Sequence, residues 1–89
     1  MLKPHYTKKF KKDYKLSQRQ NKDIKLFQQI LTLLSQRKPL HAKHENHPLQ
    51  GKFKVKWECH INPDWLFVYE ITETHIICWR LASHSDLFK

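Results

Sequence analysis

The order of hydrophobic patterns predicts an α+β fold, a small sandwich in which an N-terminal strand and two helices pack on an antiparallel sheet of about four strands. Three observations lead there. Aromatic residues near the N-terminus recur every four positions, an apolar stripe of helical period follows, and past Gly51 the period changes to two. No repeat or linker interrupts the chain, and its 89 residues bury too little surface for two cores, so a single domain over 1–89 is expected, with any site in an open surface cleft.

Leu2 to Tyr6 reads as a short edge strand, the place where the missing N–H of Pro4 does no harm. Thr7 is a suitable N-cap for a first helix, in which Tyr6, Phe10 and Tyr14 share one face and Lys8, Lys9, Lys11, Lys12 and Lys15 occupy the rest. A polar break from Ser17 to Asn21 separates it from a second helix carrying Ile24, Phe27, Leu31 and Leu34. That helix should end near Arg37, because Pro39 biases Lys38 away from the α region.

A loop to about Gln50 then leads into strands. From Gly51, Phe53, Val55, Trp57, Cys59 and Ile61 alternate with Lys52, Lys54, Lys56, Glu58 and His60, giving one packed and one polar face. Asn62, Pro63 and Asp64 form a turn into Trp65 to Ile71, apolar enough to be covered on both faces and so central. Thr72 to Thr74 connect it to a last strand at His75 to Leu81. The helical pair covers one sheet face and leaves the other for a ligand.

The charge is segregated along the chain. Met1 to Lys38 holds eleven Lys and Arg against Asp13 and Asp23, a net +9, whereas Pro39 to Lys89 is neutral and carries six of the seven histidines. A positive field of this kind suits a polyanion, whose counterions are released on binding, and points to nucleic acid.

Other classes are excluded. No apolar run approaches the ~20 residues that span a bilayer, and Met1 to Phe10 lacks the apolar stretch of a signal peptide, so the cytoplasm is expected and no membrane partner. Cys59 and Cys78 lie within apolar alternation and read as reduced core thiols. His41, His44 and His47 sit in a loop with Pro48 and make no zinc signature, and one glycine leaves no Walker-type loop; neither metal nor nucleotide cofactor is predicted.

The densest polar grouping is Glu58-Cys59-His60-Ile61-Asn62-Pro63-Asp64-Trp65, which puts an imidazole on the polar sheet face and a carboxylate around the next turn. Imidazole suits proton transfer near neutral pH, although an exposed strand histidine and a turn-forming aspartate would look the same. His47-Pro48-Leu49-Gln50-Gly51 and Ser83-His84-Ser85-Asp86-Leu87-Phe88 add a histidine each, at strand ends.

Together these three blocks, with Arg80, resemble the YafQ branch of the RelE-type toxins of bacterial toxin–antitoxin pairs, over essentially the whole chain. The resemblance implies a compact α+β endoribonuclease that cuts messenger RNA, typically on the ribosome, and is silenced by a cognate antitoxin. It carries active-site positions onto His47, His60, Asp64, Trp65, His84 and Phe88. Two departures stand out: Trp57 where many relatives have arginine, and Ala82 where glycine is common.

Metal-free RNA cleavage needs a base for the ribose 2′-hydroxyl, a cation for the phosphate and an acid for the departing 5′-oxygen. The expectation is that two of His47, His60 and His84 are base and acid, that Asp64 orients an imidazolium, and that Arg80, Lys54 and Lys56 hold phosphate. Trp65 and Phe88 would stack on bases. Lys8, Lys9, Lys11, Lys12 and Lys15 would grip ribosomal RNA. A ParE-like topoisomerase inhibitor and a non-catalytic nucleic-acid-binding module remain open alternatives.

Overall fold

The computed structural model of the chain describes residues 1–51 and 55–88. Strand β1 (Lys3–Tyr6) leads into helices α1 (Lys8–Arg19) and α2 (Ile24–Ser35), and a 3-10 turn (Ala42–His44) precedes β2 (His47–Pro48). The meander β3 (Trp57–Asn62), β4 (Trp65–Ile71) and β5 (His75–Ala82) follows, and a short helix α3 (His84–Leu87) ends it. The α+β reading holds, but among the described residues the sheet has five strands in the order β1-β5-β4-β3-β2 and is mixed, because β1 runs parallel to β5. Two residues of β2 pairing with Trp57 and Glu58 are too few to leave a period-two signal.

Thr7 caps α1, accepting from the Phe10 amide at 3.1 Å while donating to the Trp79 carbonyl at 3.0 Å, which ties the helix start to β5. Tyr6 and Phe10 stack at 5.3 Å and Phe10 meets Tyr14 at 6.0 Å, as the spacing predicts. The break expected at Ser17 does not occur there. Ser17 is buried within α1, its hydroxyl accepting from the Trp65 indole N–H at 3.2 Å, and the chain turns only after Arg19. Asp23 caps α2, and Arg37 beyond its end takes a left-handed φ of 57°.

The core lies between the helices and the inner sheet face. Phe27 meets Phe67 edge-on at 5.0 Å and packs near Phe10 at 5.7 Å, an arrangement favoured by the ring quadrupoles. Every residue from Trp65 to Tyr69 is buried, so β4 is the central strand. Cys59 and Cys78 are buried free thiols, and burial pushes both pKa values up to about 12.

The strand expected from Gly51 begins, among the described residues, at Trp57: Val55 lies in a turn and is 59% exposed. Within β3 the alternation holds at Cys59, His60 and Ile61, whereas Glu58, expected on the polar face, is buried where β2 covers it and Trp57 is exposed. Phe53, Lys52 and Lys54 lie outside the described residues.

On β5, Arg80 pairs with Val68 and Cys78 with Tyr69, so Trp79 is an extra residue in a β-bulge. Trp79 and Arg80 consequently line the same cavity on the outer sheet face. Ala82 pairs in register with Leu66 and has no positive φ, so alanine in place of the family's glycine carries no backbone strain.

Candidate active site

Strand register assembles the outer face. Glu58, Val68 and Arg80 form one row across β3, β4 and β5, and His60, Leu66 and Ala82 form the next. Leu66 and Val68 are buried on this face and supply an apolar floor. The polar groups stand around it.

His47 on β2 lies opposite Glu58, its Nε2 3.2 Å from the Glu58 carboxylate. Glu58 is only 5% exposed and its Oε1 has no hydrogen-bond partner, so a carboxylate oxygen is held dry beside an exposed imidazole. His60 is half-buried; Glu45 approaches its Nδ1 to 3.8 Å, and its carbonyl accepts from His44 Nδ1 at 2.6 Å, anchoring the 3-10 turn to β3.

The third imidazole comes from α3, which the sequence reading did not anticipate. Ser83 caps this helix by accepting from the Asp86 amide, and Asp64 Oδ1 accepts from the His84 backbone amide at 3.0 Å. His84 is thereby held with its ring centroid 6.4 Å from that of His60 and 5.1 Å from Phe88, itself 61% exposed at the rim. This Asp64 bond runs to backbone and places the start of α3, and with it His84.

Arg80 is bound in two places by Asp13 of α1, Nε at 2.7 Å and Nη2 at 3.3 Å, and the same carboxylate accepts from the Leu81 amide at 3.0 Å. These bonds raise the guanidinium pKa further and fix its direction, leaving it along the cleft wall. Lys56 stands over the Trp79 ring with Nζ 4.0 Å from the centroid. Trp65 does not belong to the cleft: it is 1% exposed, with its N–H satisfied by Ser17, and has no face to offer a base.

The five exposed lysines of α1 do not share one surface. Lys8 and Lys9 border the cavity beneath Trp79, whereas Lys11 and Lys15 flank a groove between α1 and α2.

His41, His44 and His47 do not converge, since His44 is committed to β3 and His41 caps the 3-10 turn. The metal-competent group among the described residues is instead His47, Glu58 and His60, whose ligand atoms lie within 4.8 Å of one another. Two imidazoles and a carboxylate with an unpartnered buried oxygen are a donor set that fits a borderline transition metal. Sequence reasoning missed Glu58 both here and as a site residue. The available signal was its position two residues before His60 in the alternation, on the same face.

The family model for the bacterial toxin of type II toxin–antitoxin systems, YafQ, matches residues 2–89. The chain belongs to this family. It is 36% identical over 84 residues to the mRNA interferase toxin YafQ of Escherichia coli K12, covering 93% of this chain and 91% of that protein. The E. coli DinJ–YafQ toxin–antitoxin complex superposes with a TM-score of 0.91 at 34% identity over 99% of this chain and 98% of that one. A metal-bound toxin from Helicobacter pylori gives 0.93 at 41% identity over 99% and 100%.

The family's common arginine at the position of Trp57 is no loss to the cleft in this chain. Trp57 pairs with Tyr69 and borders a hollow with Leu34 and Arg37, on the opposite face from Glu58 and His60. No helix among the described residues is long and apolar enough to cross a membrane.

Proposed function

We propose that this toxin is an endoribonuclease that cleaves messenger RNA by histidine acid–base catalysis. The observation that carries the reading is the convergence of three imidazoles, His47 and His60 around a buried carboxylate and His84 beside His60, with Arg80 in the same sheet row as that carboxylate. The E. coli relative named an mRNA interferase supports the substrate class.

In this mechanism one imidazole removes the proton of a ribose 2′-hydroxyl, whose oxygen attacks the adjacent phosphorus. A second imidazole protonates the departing 5′-oxygen as its bond to phosphorus breaks, leaving a 2′,3′-cyclic phosphate and a 5′-hydroxyl. Arg80 faces the phosphate with a fixed positive charge, and the buried Glu58 sets the orientation of His47. A divalent metal on His47, Glu58 and His60 would supply Lewis-acid polarisation of a phosphate oxygen. It would also occupy the nitrogen lone pairs that proton transfer requires, so the acid–base reading keeps the cleft metal-free during turnover.

Recognition uses the rest of the basic surface. Lys8, Lys9, Lys11, Lys12 and Lys15 bind ribosomal RNA while the cleft meets the message in the bacterial cytoplasm, and a cognate antitoxin silences the toxin, a partnership supported by the solved toxin–antitoxin complex of the E. coli relative. Neutralising Lys8, Lys9, Lys11 and Lys12 should lower ribosome affinity and flatten its salt dependence. Unchanged affinity and slope would remove the ribosome from the scheme.

Primer extension on a reporter message after brief expression of the parent chain and of His60→Ala tests the central claim. Discrete cuts by the parent, absent with a mutant that circular dichroism shows to be folded, are expected. Growth arrest without cuts in either would overturn the nuclease reading in favour of a blocking toxin.

A further inference from the structure

The bulge on β5 creates a second feature that the cleavage chemistry does not use. Trp79 lies at one side of a cavity of about 500 Å³ that opens beside the histidine cluster and shares Arg80 and Phe88 with it. Val68, Leu49 and Leu87 make its apolar surfaces, and Lys8, Lys9 and Lys56 stand at its edges. The indole is already oriented: its N–H donates to Glu70 Oε1 at 3.2 Å, and the Thr7 hydroxyl holds the Trp79 carbonyl.

We infer that this cavity is a nucleotide subsite in which Trp79 stacks on an RNA base flanking the cleaved phosphate while Lys8, Lys9 and Lys56 meet the adjoining backbone. Three features favour RNA as the occupant. The cavity exceeds what one nucleotide fills, an aromatic face in an apolar hollow suits any base, and the cations at its edge match a phosphate on either side. Continuity with the catalytic cleft through Arg80 and Phe88 places the bound base next to the reacting linkage. The Lys56 ammonium now covers the indole at 4.0 Å from its centroid, so a stacking base takes its place and the ammonium moves to the adjoining phosphate.

The subsite also assigns different work to two parts of the basic helix. Lys8 and Lys9, at the cavity edge, meet the message as well as ribosomal RNA, whereas Lys11 and Lys15 flank the groove on the other side of α1. The inference rests on the nuclease reading for the identity of the flanking phosphate. Binding at Trp79 is measurable without cleavage.

The test uses the full chain and a short 2′-O-methyl RNA oligonucleotide of mixed sequence, which cannot be cleaved because its 2′-oxygens carry no proton. Binding is followed through the three indole N–H resonances, assigned with Trp79→Phe and Trp57→Phe. The expected result is a shift of the Trp79 resonance with those of Trp57 and Trp65 little changed. Trp79→Ala should weaken binding by about tenfold, and Trp79→Phe should retain most of it. The parent protein alone decides the matter should Trp79→Ala fail to fold: oligonucleotide binding that leaves the Trp79 resonance in place overturns the subsite. If cuts depend on His60 but Trp79 does not respond, the subsite fails and the nuclease reading stands. If Trp79 responds and no message is cut, the nuclease reading fails and the base site stands.

Discussion

Asp64 reaches across from the β3–β4 turn to accept the backbone N–H of His84 at 3.0 Å, so a carboxylate on one loop sets where an imidazole on another begins its helix. The contact needs an acceptor oxygen, not a negative charge. Asp64→Asn should keep cleavage within about threefold, whereas Asp64→Ala, lacking the acceptor, should lower kcat about 10- to 100-fold in a folded protein. Measured kcat and KM with both variants check this. Equal loss in both would show that the charge itself takes part in the chemistry.

Glu58 places a nearly dry carboxylate against His47, with one oxygen unpartnered. Glu58→Gln keeps the shape of the side chain and should leave the protein folded, and should reduce cleavage by about 10² to 10⁴ because the carboxylate that holds His47 is lost. Thermal melts and single-turnover rates check the two halves.

The metal-competent group makes opposite forecasts for two mechanisms. With His47 and His60 working as proton carriers, cleavage should persist in excess EDTA and fall on addition of zinc, which competes for their nitrogens. Activity abolished by EDTA and restored by a divalent metal would replace acid–base catalysis with a metal mechanism.

Trp65 and Ser17 form a buried donor–acceptor pair linking β4 to α1. Trp65→Phe should destabilise the protein by about 1–3 kcal/mol, since it strands the Ser17 hydroxyl in the core, yet leave RNA affinity per folded molecule unchanged. Denaturant melts paired with oligonucleotide titration separate these effects.

The thiols of Cys59 and Cys78 give an alkaline signature. Burial raises both from the ordinary 9.0 to about 12, so below pH 9 both states are protonated and their contribution is fully present. As pH rises from 9 towards 12 the unfolded chain releases protons that the folded one retains, and stability is lost by up to about 1.4 kcal/mol per pH unit for each thiol. Denaturation midpoints should fall across that window, and less steeply in the Cys59→Ala, Cys78→Ala double variant.

Local patterns made much of this legible. The caps at Thr7 and Asp23, the aromatic face of α1, the central position of β4 and the turn at Asn62–Asp64 all depend on residues close in sequence. His60 could be placed on the polar face by parity alone. The errors arose where distant contacts outweighed local preference: Ser17 stays helical because Trp65, 48 positions later, satisfies its hydroxyl, and Val55 lies in a turn instead of the expected strand.

The sequence by itself determined that this is a basic α+β domain with most of its histidines placed after the helices, because charge distribution and hydrophobic period are properties of neighbours along the chain. Only the tertiary structure decided which of those residues meet. Strand register puts Glu58 under His47, a one-residue bulge turns both Trp79 and Arg80 to the outer face, and Asp64 fixes His84 near His60. Register and bulges are set by the summed pairing of whole strands, so no short motif records them.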